Sequence, residues 1–166
     1  MKKLIFAVTA SILFNTVQVN AIENDYKPNQ STEFKTYYNR SRGYKIDYPA
    51  FLVMGPASAN ADGRSFYTSG RTVELNVWSS YTDDSMNSLY NDDMYDDNYT
   101  ITYKSYKSSW YVISGVNRAN GKIFYKKVYY SNAAGEVRTM ILEYPASRKS
   151  VIDPLISRIQ QSFKDY

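Results

Sequence analysis

Four runs between Tyr99 and Tyr144 leave little choice but an antiparallel sheet. Tyr99 to Tyr106 alternates Ile101 and Tyr103 with Thr100, Thr102 and Lys104, the period-two pattern of a half-buried strand. Trp110 to Val116, Lys122 to Ser131 and Glu136 to Tyr144 also read as strands. The second and third are separated by Asn117 to Gly121, which ends in the hairpin dipeptide Asn120-Gly121, and the last two by Asn132-Ala133-Ala134-Gly135. Connections this short join antiparallel neighbours, because a parallel pair needs a crossover of a dozen residues or more. The 18 tyrosines against 7 phenylalanines fit the same reading. A tyrosine on a sheet keeps its ring inside and its hydroxyl wet.

Upstream, Gly43-Tyr44-Lys45-Ile46-Asp47-Tyr48-Pro49 is predicted to hold the first strand, Tyr44 to Tyr48, on which the later strands stack. Phe51 to Met54 reads as a short strand or bend, and Gly55 to Gly63 as a loop rich in turn residues. Arg64 to Thr68 and Thr72 to Ser79 form a hairpin across Ser69-Gly70-Arg71. A helix is predicted to start after Thr82-Asp83-Asp84-Ser85, with Asp84 or Ser85 as N-cap. Met86, Leu89, Tyr90 and Met94 recur at helical spacing and should face the sheet, and the helix should fray by Asp97. Asp153-Pro154 predicts the start of a second helix, aspartate at N-cap and proline at N1. Leu155, Ile156, Ile159 and Phe163 supply its apolar stripe. No internal repeat or interdomain linker is visible. At 166 residues with 43% apolar content the chain suits one domain with a real core.

The N-terminus reads as a secretory signal. Met1-Lys2-Lys3 is a basic n-region, Leu4 to Phe14 is an apolar h-region, and Val19-Asn20-Ala21 places small residues before a cleavage site after Ala21. The apolar run is short for a membrane span; an uncleaved anchor is the alternative. A bacterial periplasmic or secreted location is therefore expected. Residues 22–41 read as a flexible polar leader, with a short ordered piece at Phe34 to Tyr38, and residues 42–166 as the folded domain. Three triplets, at Asn29, Asn39 and Asn98, match the glycosylation pattern, which chance supplies readily in an Asn- and Ser-rich chain. Removing Lys2 and Lys3 lowers the formal charge from +4 to +2, too little to argue for nucleic acid.

Cysteine and histidine are both absent. That excludes disulfides, thiolate chemistry, Ser-His-Asp triads and the usual zinc sites. Carboxylate-only chemistry is left open, with Glu74, Glu136 and Glu143 as its candidates.

The opening motif Gly43 to Pro49 and the closing stretch Asp153-Pro154-Leu155-Ile156-Ser157-Arg158-Ile159-Gln160-Gln161-Ser162-Phe163-Lys164 resemble the ends of PsbP-like domains. The resemblance runs from about Arg42 to Lys164 and includes the order of elements. It implies an α+β fold, an antiparallel β-sheet flanked by helices in an α/β/α sandwich. The superfamily's members are mostly accessory and binding proteins, among them a photosystem subunit, a nuclear GTPase-binding protein and bacterial periplasmic proteins. The resemblance implies no catalytic residue.

Basic residues Lys104, Lys107, Lys122, Lys126, Lys127 and Arg138 lie near Tyr103, Tyr106, Tyr125 and Tyr129 in sequence. From these, Lys104, Tyr106, Lys126, Tyr129 and Arg138 are the candidates for a ligand surface; the alternative is a lysine-guarded sheet edge. Trp78 and Trp110 are expected to be core anchors. The segment Asp83 to Asp97 holds six aspartates. They have no Ca²⁺-loop spacing, so a solvated helix face is expected and no metal site is assigned. The expected function is that of a non-enzymatic, cofactor-free accessory protein binding an envelope protein or glycan. The alternatives are a small carboxylate-dependent hydrolase and a cation-binding protein using the acidic helix.

Overall fold

The computed structural model describes residues 33–131 and 133–166. The predicted signal, most of the predicted leader and the triplet at Asn29 lie outside the described residues. The chain runs β1 (Phe34–Asn39), β2 (Tyr44–Pro49), β3 (Val53–Ala57), β4 (Gly63–Tyr67), β5 (Glu74–Tyr81), α1 (Met86–Met94), β6 (Tyr99–Lys107), β7 (Trp110–Asn117), β8 (Ile123–Tyr130), β9 (Glu136–Tyr144), a 3₁₀ turn (Ala146–Arg148), α2 (Lys149–Ser162) and β10 (Lys164–Asp165).

Seven strands form one sheet in the order β3-β4-β5-β9-β8-β7-β6, and every pairing is antiparallel. The expected hairpins are present. β4 pairs with β5, and Asn117 to Gly121 joins β7 to β8 with Gly121 at φ +70°, a conformation glycine adopts without strain. At Gly115 the reason for glycine is close approach. A Cβ there would lie 1.9 Å from the Thr100 carbonyl oxygen, beside the irregular register between Ile101 and Tyr103. β6 can bulge toward β7 only because that position has no side chain.

The first predicted strand does not belong to the large sheet. β2 is the centre of a separate three-stranded sheet, β1-β2-β10. Its alternation buries Tyr44, Ile46 and Tyr48 against the large sheet, and Phe34 and Tyr37 of β1 pack on the same core. The short ordered piece expected at Phe34 to Tyr38 is thus a full strand of the folded body, N-terminal to the boundary expected at Arg42. β3 likewise extends as strand through Gly55 and Pro56 to Ala57, where the turn-residue composition predicted loop. It is an edge strand with four of its five residues exposed, the setting in which a strand tolerates proline.

The small sheet and α2 cover part of one face of the large sheet, forming a core with Phe66, Leu75, Val77, Met140, Leu142 and Tyr144. α1 covers part of the other, where Met86 packs with Tyr111, Ile113, Phe124, Val128 and Val137. The expected N-cap is in place: the Ser85 hydroxyl accepts from the Ser88 amide at 3.1 Å. α1 stops at Met94, three residues before Asp97.

α2 departs from its predicted start. It begins at Lys149, after the 3₁₀ turn, so Asp153 and Pro154 lie inside it. Pro154 forgoes one helical N–H bond, but the extra turn brings Ile152, only 2% exposed, into the core. Asp153 does not cap; its carboxylate accepts from the Tyr144 hydroxyl at 2.7 Å and from Lys149. The buried helical stripe is Ile152, Leu155 and Ile159. Ile156 is only half-buried, and Phe163 follows the helix as its extended C-cap.

Candidate functional site

Neither face of the seven-stranded sheet is wholly covered. α2 lies against β9 and β2, so on its side the floor formed by β6, β7 and β8 borders an open trough. Alternation sends Trp110, Val112, Ser114 and Val116 of β7, and their register partners Tyr129, Lys127, Tyr125 and Ile123 of β8, to this face. Two hollows lie along the trough. The first, about 360 Å³, is lined by Tyr103, Ser114, Val116, Ile123 and Tyr125 from the sheet and by Lys149, Asp153 and Ile156 from α2. The second, about 430 Å³, lies at the C-terminal end of α2, with Trp110, Lys127 and Tyr129 on the sheet and Gln160, Gln161 and Lys164 on the other bank.

The two hollows differ in chemistry. In the first, the charges of Lys149 and Asp153 pair with each other at 2.5 Å, leaving Ile156, Val116, Ile123 and the tyrosine rings as an apolar lining. Tyr125 is half-buried there, and the loss of solvent pushes its hydroxyl up to about 12. In the second, the Lys127 ammonium donates to the Gln160 carbonyl oxygen at 2.6 Å and lies 5.7 Å from the Tyr129 ring centre. Burial pulls its pKa down. The Tyr129 hydroxyl donates to Asp165 at 3.1 Å; burial first, and then this carboxylate, push it upward.

The five candidate residues do not meet on one surface. Lys104, Tyr106 and Lys126 face the α1 side, whereas Tyr129 and Arg138 face the α2 side. Lys104 is exposed. Tyr106 stacks on Tyr90 of α1 with ring centres 5.0 Å apart. Lys126 pairs with Asp93 at 2.5 Å, and the same carboxylate accepts a short bond from the Tyr111 hydroxyl. Arg138 is 1% exposed and sits inside a charge network, so it is no surface cation. The tryptophans also differ from expectation. Trp78 and Trp110 are half-buried and belong to neither core. Trp110 instead lines the second hollow. Lys127, and not the candidate Lys126, lines a hollow, and the pattern Tyr125-x-Lys127-x-Tyr129 is the sequence signal that marks a lysine on a tyrosine-lined face.

Of the candidate carboxylates, Glu74 and Glu143 are direct neighbours across β5 and β9. Each is engaged, Glu74 by Arg71 at 2.9 Å and Glu143 by Asn117 at 2.8 Å. Glu136 is on the opposite face, bound to Arg42 and Arg138. Among the described residues no three carboxylates converge on a point that could hold a metal ion. In the acidic segment Asp93 turns inward as above, and Asp96 accepts from the Asn98 amide at 2.9 Å.

Comparison with known proteins places this architecture. The cyanobacterial PsbP protein CyanoP of Synechocystis superposes with TM-score 0.55 at 15% identity, covering 85% of this chain and 97% of that one. The chain has the PsbP-like fold. The Ran-binding protein Mog1p of Saccharomyces cerevisiae matches equally well, TM-score 0.55 at 10% identity over 81% of this chain and 96% of its own. A single-residue variant of Mog1 gives 0.52 at 10% identity over 80% and 96%. No protein-family model matches the sequence, and no curated protein does.

The tyrosines of this PsbP-like domain give it a specific alkaline behaviour. Burial raises the pKa of Tyr44, Tyr99, Tyr111, Tyr125, Tyr129 and Tyr144. A phenol with a raised folded-state pKa contributes stability that is complete below its unfolded pKa of about 10 and is lost as pH rises through the folded value. Spectroscopic titration of phenolate should therefore be biphasic. The phase belonging to these six rings should lie above pH 10 and coincide with loss of near-ultraviolet circular dichroism. A single phase with the fold intact would contradict this assignment.

Proposed function

We propose that the chain is a non-enzymatic accessory protein, exported by a cleaved signal, that binds a protein of the bacterial cell envelope through the trough beside α2. The trough carries the reading: two hollows line one flank of a helix, with half-buried Trp110 and exposed Tyr103 and Val116 open to solvent. Aromatic residues that stay accessible beside concave ground are the anchors of protein recognition. The lack of histidine and cysteine, with each candidate glutamate already engaged, supports binding over catalysis. Mog1p, which shares the fold, is a Ran-binding protein, and a protein partner is the corresponding reading here. Among the described residues no helix is long and apolar enough to cross a membrane.

Two measurements test it. Sequencing the N-terminus of the mature protein should give Ile22; intact Met1 in the cytosol would sink the export. A photo-cross-linking residue in place of Tyr103, 55% exposed beside the first hollow, should capture an envelope protein in living cells. The same residue at Tyr95, 84% exposed just after α1, should not. Capture at Tyr95 and not at Tyr103 would move the site off the trough.

A further inference from the structure

We infer that the trough selects an extended peptide segment carrying an apolar side chain and, four residues away, a carboxylate that docks on Lys127. This rests on the reading of the trough as the binding site and adds what the bound segment must look like.

Charge supplies the first half of the argument. The second hollow is lined by two lysines, Lys127 and Lys164, and by no carboxylate. Among the described residues Lys127 has no ion-pair partner, and only one of its three N–H donors is used, on Gln160. The nearby acid in sequence, Asp165, is engaged by Tyr129, Ser131 and Arg138. A half-buried ammonium with spare donors, beside Trp110 in a hollow without negative charge, is complementary to an incoming carboxylate. The first hollow has neutralised its own charges and offers Ile156, Val116, Ile123 and Tyr125, a lining for an apolar side chain.

Spacing supplies the second half. The hollows are centred about eight residues apart along α2, or about 12 Å at 1.5 Å per residue. On β8 they are marked by Ile123 with Tyr125, and by Lys127 with Tyr129. That is four residues, or about 13 Å at 3.3 Å each. The two rulers agree. An extended peptide covers the same span in about four residues, and side chains four apart in an extended chain point to the same face. Two pockets of different character at that interval suit a peptide better than an acidic polysaccharide, whose repeating units would meet an apolar hollow with polar groups.

The probe is a set of fluorescein-labelled Gly/Ser peptides with one leucine and one glutamate four positions apart, in both orders, titrated by anisotropy against the mature full chain. One order should bind. Changing its glutamate to glutamine, or its leucine to serine, should weaken binding at least fivefold, and so should moving the two to a spacing of three. Lys127→Gln should erase the preference for glutamate over glutamine while keeping the dependence on leucine. Lys164→Gln, which alters only an exposed side chain, should reduce that preference without affecting the melting temperature. The inference is overturned if the glutamate and glutamine peptides bind alike, or if no peptide changes anisotropy up to its solubility limit. It is also overturned if an oligogalacturonate binds the wild-type protein and the peptides do not, since the occupant is then an acidic glycan. Cross-linking at Tyr103 that persists after such a result would preserve the trough as a binding site and remove only the acidic anchor.

Discussion

Arg138→Met is expected to lower stability by about 3–5 kcal/mol, the usual cost of removing one partner from a buried ion network. Arg138 is 1% exposed and Glu136 5%. The guanidinium donates to Glu136, to the Ser79 hydroxyl and to the Arg42 carbonyl oxygen, and its Nε lies 3.4 Å from Asp165. Arg42 reaches the same glutamate at 3.0 Å. These groups come from β5, β9, β10 and the turn before β2, so the network joins the two sheets. Methionine fills much of the volume and leaves Glu136 and Asp165 without their shared cation. Burial alone would raise the Glu136 carboxyl; the bond from Arg138 outweighs it and holds the pKa below the usual range. A carboxylate with a lowered folded-state pKa adds stability above its unfolded pKa of about 4 and loses it as pH falls through the folded value. The acid-unfolding midpoint of Arg138→Met should therefore move to higher pH. Adding Glu136→Gln should recover part of the loss, because the uncompensated charge rather than packing carries most of it. A denaturant midpoint unchanged by Arg138→Met would refute the network's role.

Phe163→Ala should cost a comparable 3–5 kcal/mol, roughly, for a buried phenylalanine. Phe163 is 1% exposed, with its ring edge-on to Tyr44 at 5.7 Å and to Tyr129 at 5.2 Å. It thus bridges the small sheet and the large one at the point where α2 ends. A domain holds only about 5–15 kcal/mol in total, and each kcal/mol shifts the melting temperature of a domain near this size by about 2–4 °C. A fall of about 10 °C or more is the expected result. If the melting temperature stays put while cross-linking to the partner vanishes, Phe163 is a binding element and its packing role is wrong.

Local pattern alone determined most of the large sheet. The alternation in β5 to β9, the Asn-Gly turn and the Ser85 cap each depend on residues within a few positions of one another, and each is present in the structure. The PsbP-like fold was also legible, from the strand at Tyr44 to Tyr48 and the helix ending at Phe163. What pattern could not reach was pairing at long range. The strand at Tyr44 alternates as well as any other, but only its partners, β1 and β10, assign it to a second sheet. The cap signal at Asp153-Pro154 is sound locally, yet burial of Ile152 favours an earlier start for α2. Arg138 and Lys126 look alike as basic residues on strands. Arg138 is buried because Glu136, Asp165 and the Arg42 carbonyl converge on it from 2, 27 and 96 residues away, and Lys126 is neutralised by Asp93 from 33 away. The trough is of the same kind. Its floor is written in the alternation of β7 and β8, but its far bank is α2, and which face α2 covers is decided by where the apolar stripe finds the larger buried area.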